Sequence, residues 1–467
     1  MAIILDSLNR IVWGAPALIL ILGVGIFLSL RTGFAQIALF GSALRQFLSK
    51  LRDHGAGEGV PPFQALCTAL AATVGTGNLV GVAGAITLGG PGAIFWMWVC
   101  GILGMVTKFA EATLAVRYRV KESGEYVGGP MYMIRQSLPK RWHWLAGVYS
   151  FFGVIAAFGV GNATQINAVI TGLNQVLAGF GISETRSGNF FFGLGLAILI
   201  GTMLLGGARR IGAVAEFLVP FASAAYVLLC IGVLILRLDA VPGAFASIVQ
   251  GAFSPRAVTG GVLGSAFSAL RVGVARGVFT NEAGMGTASI AHASARVRHP
   301  AEQGLMGIME VFLDTIVICT MTALVILSCG VPVPYGTDGG AALTTRAFAA
   351  VYGDWVTVFL ALALCCFAFA TVLGWGLYGA RCAQFLFGSR SWKYFALFQT
   401  AAVLVGAVLD TGIIWSLAET VNGLMAIPNL IVLVCLSGEL RRLTCEYKNK
   451  TVCGLNGADG GTYENLN

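Results

Sequence analysis

What this 467-residue chain has little of is charge: 11% of its residues are Asp, Glu, Lys or Arg, against 57% hydrophobic. Its mean hydropathy is +0.82. A soluble globular chain carries about 25% charged residues, so this composition does not clothe a water-facing surface. That excludes a secreted domain, a disordered chain and a cytosolic enzyme. Histidine is scarce as well. There are 4, His54, His143, His292 and His299, each read as a loop residue. No pair of them lies within an apolar run, which argues against haem and against a metalloprotease. HExxH, a phosphate loop and GxSxG beside a His/Asp set are all missing, so nothing marks an enzyme. The 11 cysteines lie mostly inside apolar runs, Cys67, Cys100, Cys230 and Cys319 among them. Without regular spacing or companion histidines they read as small buried hydrophobes, and no cofactor is implied. The net charge is +8, but the basic residues sit between apolar runs rather than on one polar face. A nucleic-acid partner is therefore not expected, nor is an obligate protein partner. The expected surroundings are a lipid bilayer.

What is present is a series of long apolar runs. A bilayer core about 30 Å thick needs about 20 apolar residues per helix. Eleven stretches qualify: 12–30, 66–88, 92–116, 145–178, 190–206, 213–236, 259–280, 305–330, 354–380, 394–410 and 413–437. They are too long for barrel strands of about 9–11 residues, and only helices then satisfy the backbone in lipid. The first run has no basic start and no small-residue cleavage site, so it reads as a retained helix rather than a signal peptide. With the N-terminus outside, the inner loops hold 23 of the 29 basic residues and the outer loops 5, with Lys108 inside a span. That bias is typical of cytoplasmic loops, and it predicts an outer N-terminus and a cytoplasmic C-terminus. Residues 1–445 form one transmembrane domain on this reading, and the polar 446–467 is an expected disordered tail.

The 63 glycines matter through their placement. The second span reads CTALAATVGTGNLVGVAGAITLGG over 67–90, with Thr73, Gly75, Thr76, Gly77, Asn78 and Gly81 at its middle. Glycine disfavours regular helix, and Thr and Asn offer the backbone competing bonds. Unwound backbone at this depth is tolerated only where it lines a cavity or is buried in protein. Tight packing through small residues is the alternative, but packing has no use for the Asn78 amide. The seventh span, TGGVLGSAFSALRVGVARG over 259–277, is similarly rich in Gly and Ser. Each of these spans opens a group of five, and groups of five are inverted relative to one another. Interrupted helices at matching places in inverted halves point to a secondary transporter's site.

At this point the chain resembles a known family. GGPGAIFWMW (89–98), ATVGTGN (72–78), KFAEA (108–112), GGPMYM (128–133) and GVARGVFTNEAGMG (273–286) are similar to strings of the alanine or glycine:cation symporters. The resemblance implies the leucine-transporter fold, all-α: an extra helix over 12–30, then inverted repeats over 66–236 and 259–437. It also implies sodium-coupled uptake of alanine or glycine in a bacterial inner (plasma) membrane.

An amino-acid zwitterion needs donors for its carboxylate and acceptors for its ammonium. Bare amides at a half-helix N-terminus supply donors. Gly75, Thr76 and Gly77 are placed to do so, with Thr73 and Asn78 shaping the same break. Gln165, deep in the fourth span, either accepts from the ammonium or makes a structural interhelical bond. With the resemblance, Phe267 and Trp375 become the bulky walls of a small pocket. The resemblance also implies a sodium cage from the carbonyls of Ala71, Val74 and Ala368 and the hydroxyl of Thr371, which also borders the substrate. Neutral oxygens suit a hard cation. One cation crossing 100 mV releases about 2.3 kcal/mol and a tenfold gradient adds about 1.4. One sodium is therefore enough for accumulation on the order of 500-fold.

Other carboxylates keep a proton-coupled rival open: Glu216, Glu310 and Asp314. Lys108 and Glu111, at i and i+3, are expected to pair with each other. Glu282, in TNEAGMG (280–286), is either a gating residue or a helix cap.

Overall fold

Away from water, each backbone N–H and C=O needs a partner within the protein, and a helix supplies it locally. The computed structural model describes residues 12–51, 59–179, 181–254, 266–337, 340–408 and 412–452, and these are mostly helical. In chain order the helices are α1 (Ala15–Thr32), α2 (Phe40–Lys50), α3 (Pro62–Thr73), α4 (Val82–Gly89) and α5 (Gly92–Arg117). After the hairpin of β1 (Val120–Glu122) and β2 (Glu125–Val127) come α6 (Pro130–Ser137), α7 (Trp144–Phe158), α8 (Thr164–Gly179), α9 (Arg186–Leu205) and α10 (Gly207–Leu236). Then follow α11 (Val241–Phe253), α12 (Ala266–Asn281), α13 (Thr287–His292), α14 (Pro300–Val311) and α15 (Thr320–Ser328). The last are α16 (Gly340–Tyr352), α17 (Val356–Phe387), α18 (Ser391–Val408), α19 (Gly412–Cys435) and α20 (Ser437–Val452). Proline occupies the first turn of α3, α6 and α14, where its missing N–H leaves no bond unmade.

Among the described residues, six helices are long and apolar enough to cross a membrane, or eight if two bent pairs each count as one span. One bent pair is α3 with residues Gly77–Gly89, turned by 52°, and the other joins α19 to α20 at 62°. Other candidate runs hold shorter helices, such as the 18-residue α1 and α18. The connections also contain helices that were not expected. At 13 residues each, α11 and α16 are too short to span.

Two helices form the centre. The most apolar stretch of α5 is 67% buried, whereas that of α10 is 28% buried. Accordingly Phe217, Phe221, Leu228 and Ile235 of α10 are exposed, as lipid-facing side chains are. Association in lipid depends on close packing, and glycine permits it. A Cβ on Gly92 would lie 2.1 Å from the Gly251 carbonyl of α11, and one on Gly273 of α12 would lie 2.2 Å from the Ala93 carbonyl. A Cβ on Gly307 of α14 would lie 2.8 Å from the Lys108 carbonyl. The second centre is α17, where Gly374 meets Ala72 and Gly379 meets Ala157. This corrects one expectation. From Ala266 to Asn281 the seventh run is continuous helix, and its glycines serve packing; residues 259–265 lie outside the described residues. The chain leaves that helix later, at 282–286, where Glu282, Gly284 and Gly286 have positive φ.

Polar contacts join the ends of the bundle. Lys448 donates to the Thr32 carbonyl, Arg117 pairs with Glu439 at 3.2 Å, and Arg119 donates to the Ala293 and Ala295 carbonyls. Arg381 pairs with Glu125. At the opposite end Gly336 N–H donates to Thr87 and the Tyr352 hydroxyl to the Leu229 carbonyl. The tail also departs from expectation, because α20 continues through 446–452. Arg442 there pairs with Glu439 and Glu446, one turn to either side, at 2.6 and 2.7 Å, a spacing that supports helix. Residues 453–467 lie outside the described residues.

Lys108 does not pair with Glu111. Its Nζ lies 3.0 Å from Glu310 of α14, with both side chains buried, because Glu111 is occupied by backbone amides described below. The second Glu310 oxygen is 2.8 Å from His292 Nε2. Gln303 Nε2 lies 2.7 Å from His292 Nδ1 and also donates to the Pro62 carbonyl. The imidazole thus accepts at Nδ1 and donates from Nε2 to the carboxylate. His292, expected in a loop, ends α13 and is buried.

Removing one partner of a buried ion pair costs about 3–5 kcal/mol, whereas replacing both with apolar groups is often neutral. Lys108→Met is therefore expected to lower the melting temperature of the full-length protein in detergent, and Lys108→Met with Glu310→Met to recover most of the loss. A single variant as stable as the parent counts against this tie.

Candidate functional site: a broken helix and its polar shell

The helix of α3 stops because Val74 turns extended, with φ −77° and ψ 108°. Gly75 and Thr76 follow, then a π-helical turn over Gly77–Gly81 leads into α4. All of 71–79 is buried, so its groups require internal partners. Asn78 supplies them from both ends of its amide. Its Oδ1 accepts from Gly75 N–H at 2.8 Å. Its Nδ2 donates to Asp314 Oδ1 at 2.8 Å and to the Asp314 carbonyl at 3.2 Å. The Leu79 carbonyl takes the Thr344 hydroxyl at 3.0 Å.

Three neighbours close on this break. From α17, the Thr371 hydroxyl is so near Gly75 that a Cβ there would sit 2.9 Å from it; it donates to the Phe367 carbonyl at 3.0 Å. From α12, Thr280 Oγ1 would lie 3.2 Å from a Cβ on Gly77. From α8, Gln165 Oε1 accepts from the Thr76 hydroxyl at 3.4 Å, while its Nε2 donates to the Val160 carbonyl at 3.2 Å. Ala71, Val74, Ala368 and Thr371 are all buried, and α3 and α17 touch where Gly374 meets Ala72. Thr73 bonds back to its own helix, at Ala69 and Leu70.

Trp375 is buried on α17, and Gly161 accommodates it, since a Cβ there would fall 2.2 Å from the Trp375 Cβ. Gly161 belongs to a second π-helical turn, Gly159–Ala163. Phe267 departs from expectation. It is 60% exposed, on the first turn of α12 and outside the buried cluster, so the structure does not bring it to the break. A third π-helical turn, Phe312–Cys319, carries Asp314. Its carboxylate also accepts from the Thr315 hydroxyl at 2.8 Å, and Thr315 accepts from Asn281 at 3.2 Å. A wider turn at these places leaves backbone groups for side chains to meet.

A buried set of carboxylates adjoins this shell. Glu111 Oε1 accepts from the amides of Gly284 and Gly286, at 2.9 and 3.0 Å, and from Asn429 Nδ2 at 2.7 Å. Glu282 Oε1 accepts from the Trp375 indole at 3.1 Å, and its Oε2 from the Thr287 hydroxyl at 2.6 Å. Glu310 pairs with Lys108, as above, while Glu216 stands half-buried on α10. The sequence reading missed the ties of Asn78 to Asp314 and of Trp375 to Glu282. The available signal was an amide or indole N–H in an apolar run, since a buried donor requires an acceptor. Among the described residues no group of three or more His, Cys, Asp or Glu is arranged to hold a metal ion.

Comparison with known proteins agrees with this architecture. Residues 1–458 match the sodium:alanine symporter family. The chain is 44% identical to the sodium/alanine symporter AgcS of Methanococcus maripaludis over 93% of this chain and 94% of that one. It is 36% identical to the amino-acid carrier protein AlsT of Bacillus subtilis, over 93% and 90%. The solved structure of MhsT in complex with L-phenylalanine superposes with a TM-score of 0.56 at 15% identity, covering 84% of this chain and 99% of that one, a likeness that gives the leucine-transporter fold. The chain thus belongs to the sodium:alanine symporter family, and it is a multi-pass, sodium-coupled symporter of alanine-type amino acids rather than an enzyme.

Proposed function

We propose that this chain imports alanine or glycine together with sodium by alternating access, and that both bind at the interruption over 74–76. The observation that carries this reading is a buried helix break with the Thr371 hydroxyl against Gly75. In the proposal the amides of Thr76 and Gly77 receive the substrate carboxylate, favoured by the half-helix that begins there, while the expected Gly75 amide is taken by Asn78 Oδ1 and Gly75 lines the break. Thr73 and Asn78 shape that turn. Gln165, already hydrogen-bonded to Thr76, faces the ammonium, and Thr371 borders it. The indole of Trp375 limits the side chain, and Phe267 has no part in the wall. Sodium lies between α3 and α17, on the carbonyls of Ala71, Val74 and Ala368 and the Thr371 hydroxyl. The contact of Gly374 with Ala72 supports this, because it keeps the two backbones close enough to share a cation.

Eleven spans, with inverted repeats over 66–236 and 259–437, complete the reading, in a bacterial plasma membrane with the N-terminus outside. The polar contacts at the bundle ends support that parity. Thr32, Arg117, Arg119, Glu125, Ala293, Arg381, Glu439 and Lys448 follow candidate spans of odd order, and they bond in pairs, Thr32 with Lys448, Arg117 with Glu439, Arg119 with Ala293 and Arg381 with Glu125. The basic residues concentrate at that same end, as cytoplasmic loops require. Proton coupling is the second reading. Asp314 favours it, being a buried carboxylate whose hydrogen-bond donors, Asn78 and Thr315, are neutral.

Labelled alanine uptake into proteoliposomes tests the coupling. Uptake is expected to collapse when choline replaces sodium at fixed pH, and undiminished uptake favours the proton instead. For Thr371→Ala, loss of one cage oxygen is expected to raise the sodium concentration for half-maximal uptake about tenfold, near the worth of a hydrogen bond to a charged group, with less effect on alanine saturation at high sodium. An unchanged sodium dependence removes Thr371 from the cage. Trp375→Ala should let larger amino acids compete with alanine; if they still fail, the indole does not bound the pocket.

A further inference from the structure

Trp375 has a single polar atom, the indole N–H. That atom donates to Glu282 Oε1 at 3.1 Å, with both side chains buried. The tie spans 93 residues of sequence and crosses from α17 to the segment after α12. Glu282 is itself firmly held. Its second oxygen takes the Thr287 hydroxyl at 2.6 Å, and its backbone has φ +53°, a conformation side-chain-bearing residues rarely adopt. Four residues about it are anchored as well. Ala283 N–H donates to Asn281 Oδ1, Gly284 and Gly286 donate to Glu111, and Asn429 donates to both Glu111 and the Gly284 carbonyl. The carboxylate that meets the indole is thus fixed from both sides.

The ring needs such fixing. An aromatic ring turns about a broad, two-fold torsion at its attachment to Cβ. Gly161 against the Trp375 Cβ sets where the side chain starts. Tyr378 packs edge-on at 5.8 Å between ring centroids. Gly161 also meets Cδ2, on the benzo side of the ring, so packing bears on the orientation but makes no directed bond. The N–H supplies the directed bond, and Glu282 accepts it. From this geometry we infer that Glu282 is the positioning residue for Trp375, holding the indole in the one orientation that sets the size limit for the transported amino acid. Glu282 touches neither substrate nor sodium in this scheme; it acts through the ring. The tie also joins the pocket wall to the 281–286 segment, which Glu111 clasps, so that segment cannot shift without releasing the wall. This inference rests on the reading of Trp375 as a pocket wall.

The test uses the full-length protein in proteoliposomes, with leucine and methionine competing against labelled alanine. Glu282→Ala removes the acceptor and Trp375→Phe removes the donor. Each is expected to tighten competition by the larger amino acids about tenfold, the low end of what extra methylenes decide in a pocket, and to raise the alanine KM more than it lowers the maximal rate. Glu282→Gln keeps a carbonyl oxygen for the indole and should restore discrimination. The double variant Glu282→Ala with Trp375→Phe should match Trp375→Phe alone, because the bond is already lost with its donor. Unchanged competition in Glu282→Ala, or additive effects in the double variant, overturns the inference. If Glu282→Ala does not fold, Trp375→Phe decides alone, and its unchanged competition is the overturning result. Trp375→Ala separates the two levels. If it broadens competition while Glu282→Ala does not, only the positioning role fails; if it too leaves competition unchanged, the wall itself is wrong.

Discussion

A backbone interrupted inside lipid must find its hydrogen bonds within the protein, and most of this structure follows from that demand. Val74 turns extended and the helix stops. The freed Gly75 N–H goes to Asn78, Asn78 goes to Asp314, and Asp314 goes to Thr315 and through it to Asn281. A break in one helix is thereby held by the wide turn of a second and the end of a third. No member of this chain is exposed to solvent, so each bond stands in a medium where losing it leaves a bare polar group.

The packing serves the same end. Gly75 lets Thr371 approach the break, Gly77 admits Thr280, and Gly161 seats Trp375. Around α5 the glycines are of another kind. Gly92, Gly273 and Gly307 allow backbones to touch, which is how helices associate without a hydrophobic drive. One residue type does two jobs here: near the break it makes room for functional side chains, and around α5 it makes room for whole helices.

The buried charges form a third layer, and they tie elements distant in sequence. Lys108 reaches Glu310, Glu310 reaches His292, Glu111 gathers the amides of 284 and 286, and Glu282 takes the Trp375 indole. The breaks and the charged ties converge on the segment 281–286, where the chain adopts left-handed backbone at Glu282, Gly284 and Gly286. This segment adjoins both the proposed pocket wall and the end of the bundle that carries most of the basic residues. A transporter that opens to one side at a time has to release contacts of this sort on one side while keeping them on the other.

Composition alone determined that the chain is a membrane protein, because scarce charge and long apolar runs admit no other solvent. Local sequence also determined where the second run breaks, since Gly75, Thr76, Gly77 and Asn78 disfavour helix through their own backbone chemistry. The family resemblance then pointed to Thr371, which lies against Gly75, and to Trp375, the proposed pocket wall. Only the tertiary structure decided the partners. Lys108 and Glu111 share a helix turn, yet Lys108 turns to Glu310, because two amides arriving from 284 and 286 already occupy Glu111. The glycines of 266–281 look like those of 67–90 but lie in continuous helix, since α5 packs against them. Phe267, on the first turn of the same helix, is exposed. Hydrogen-bond need is written in a residue type, but which atom answers it depends on which elements the fold brings within about 3 Å.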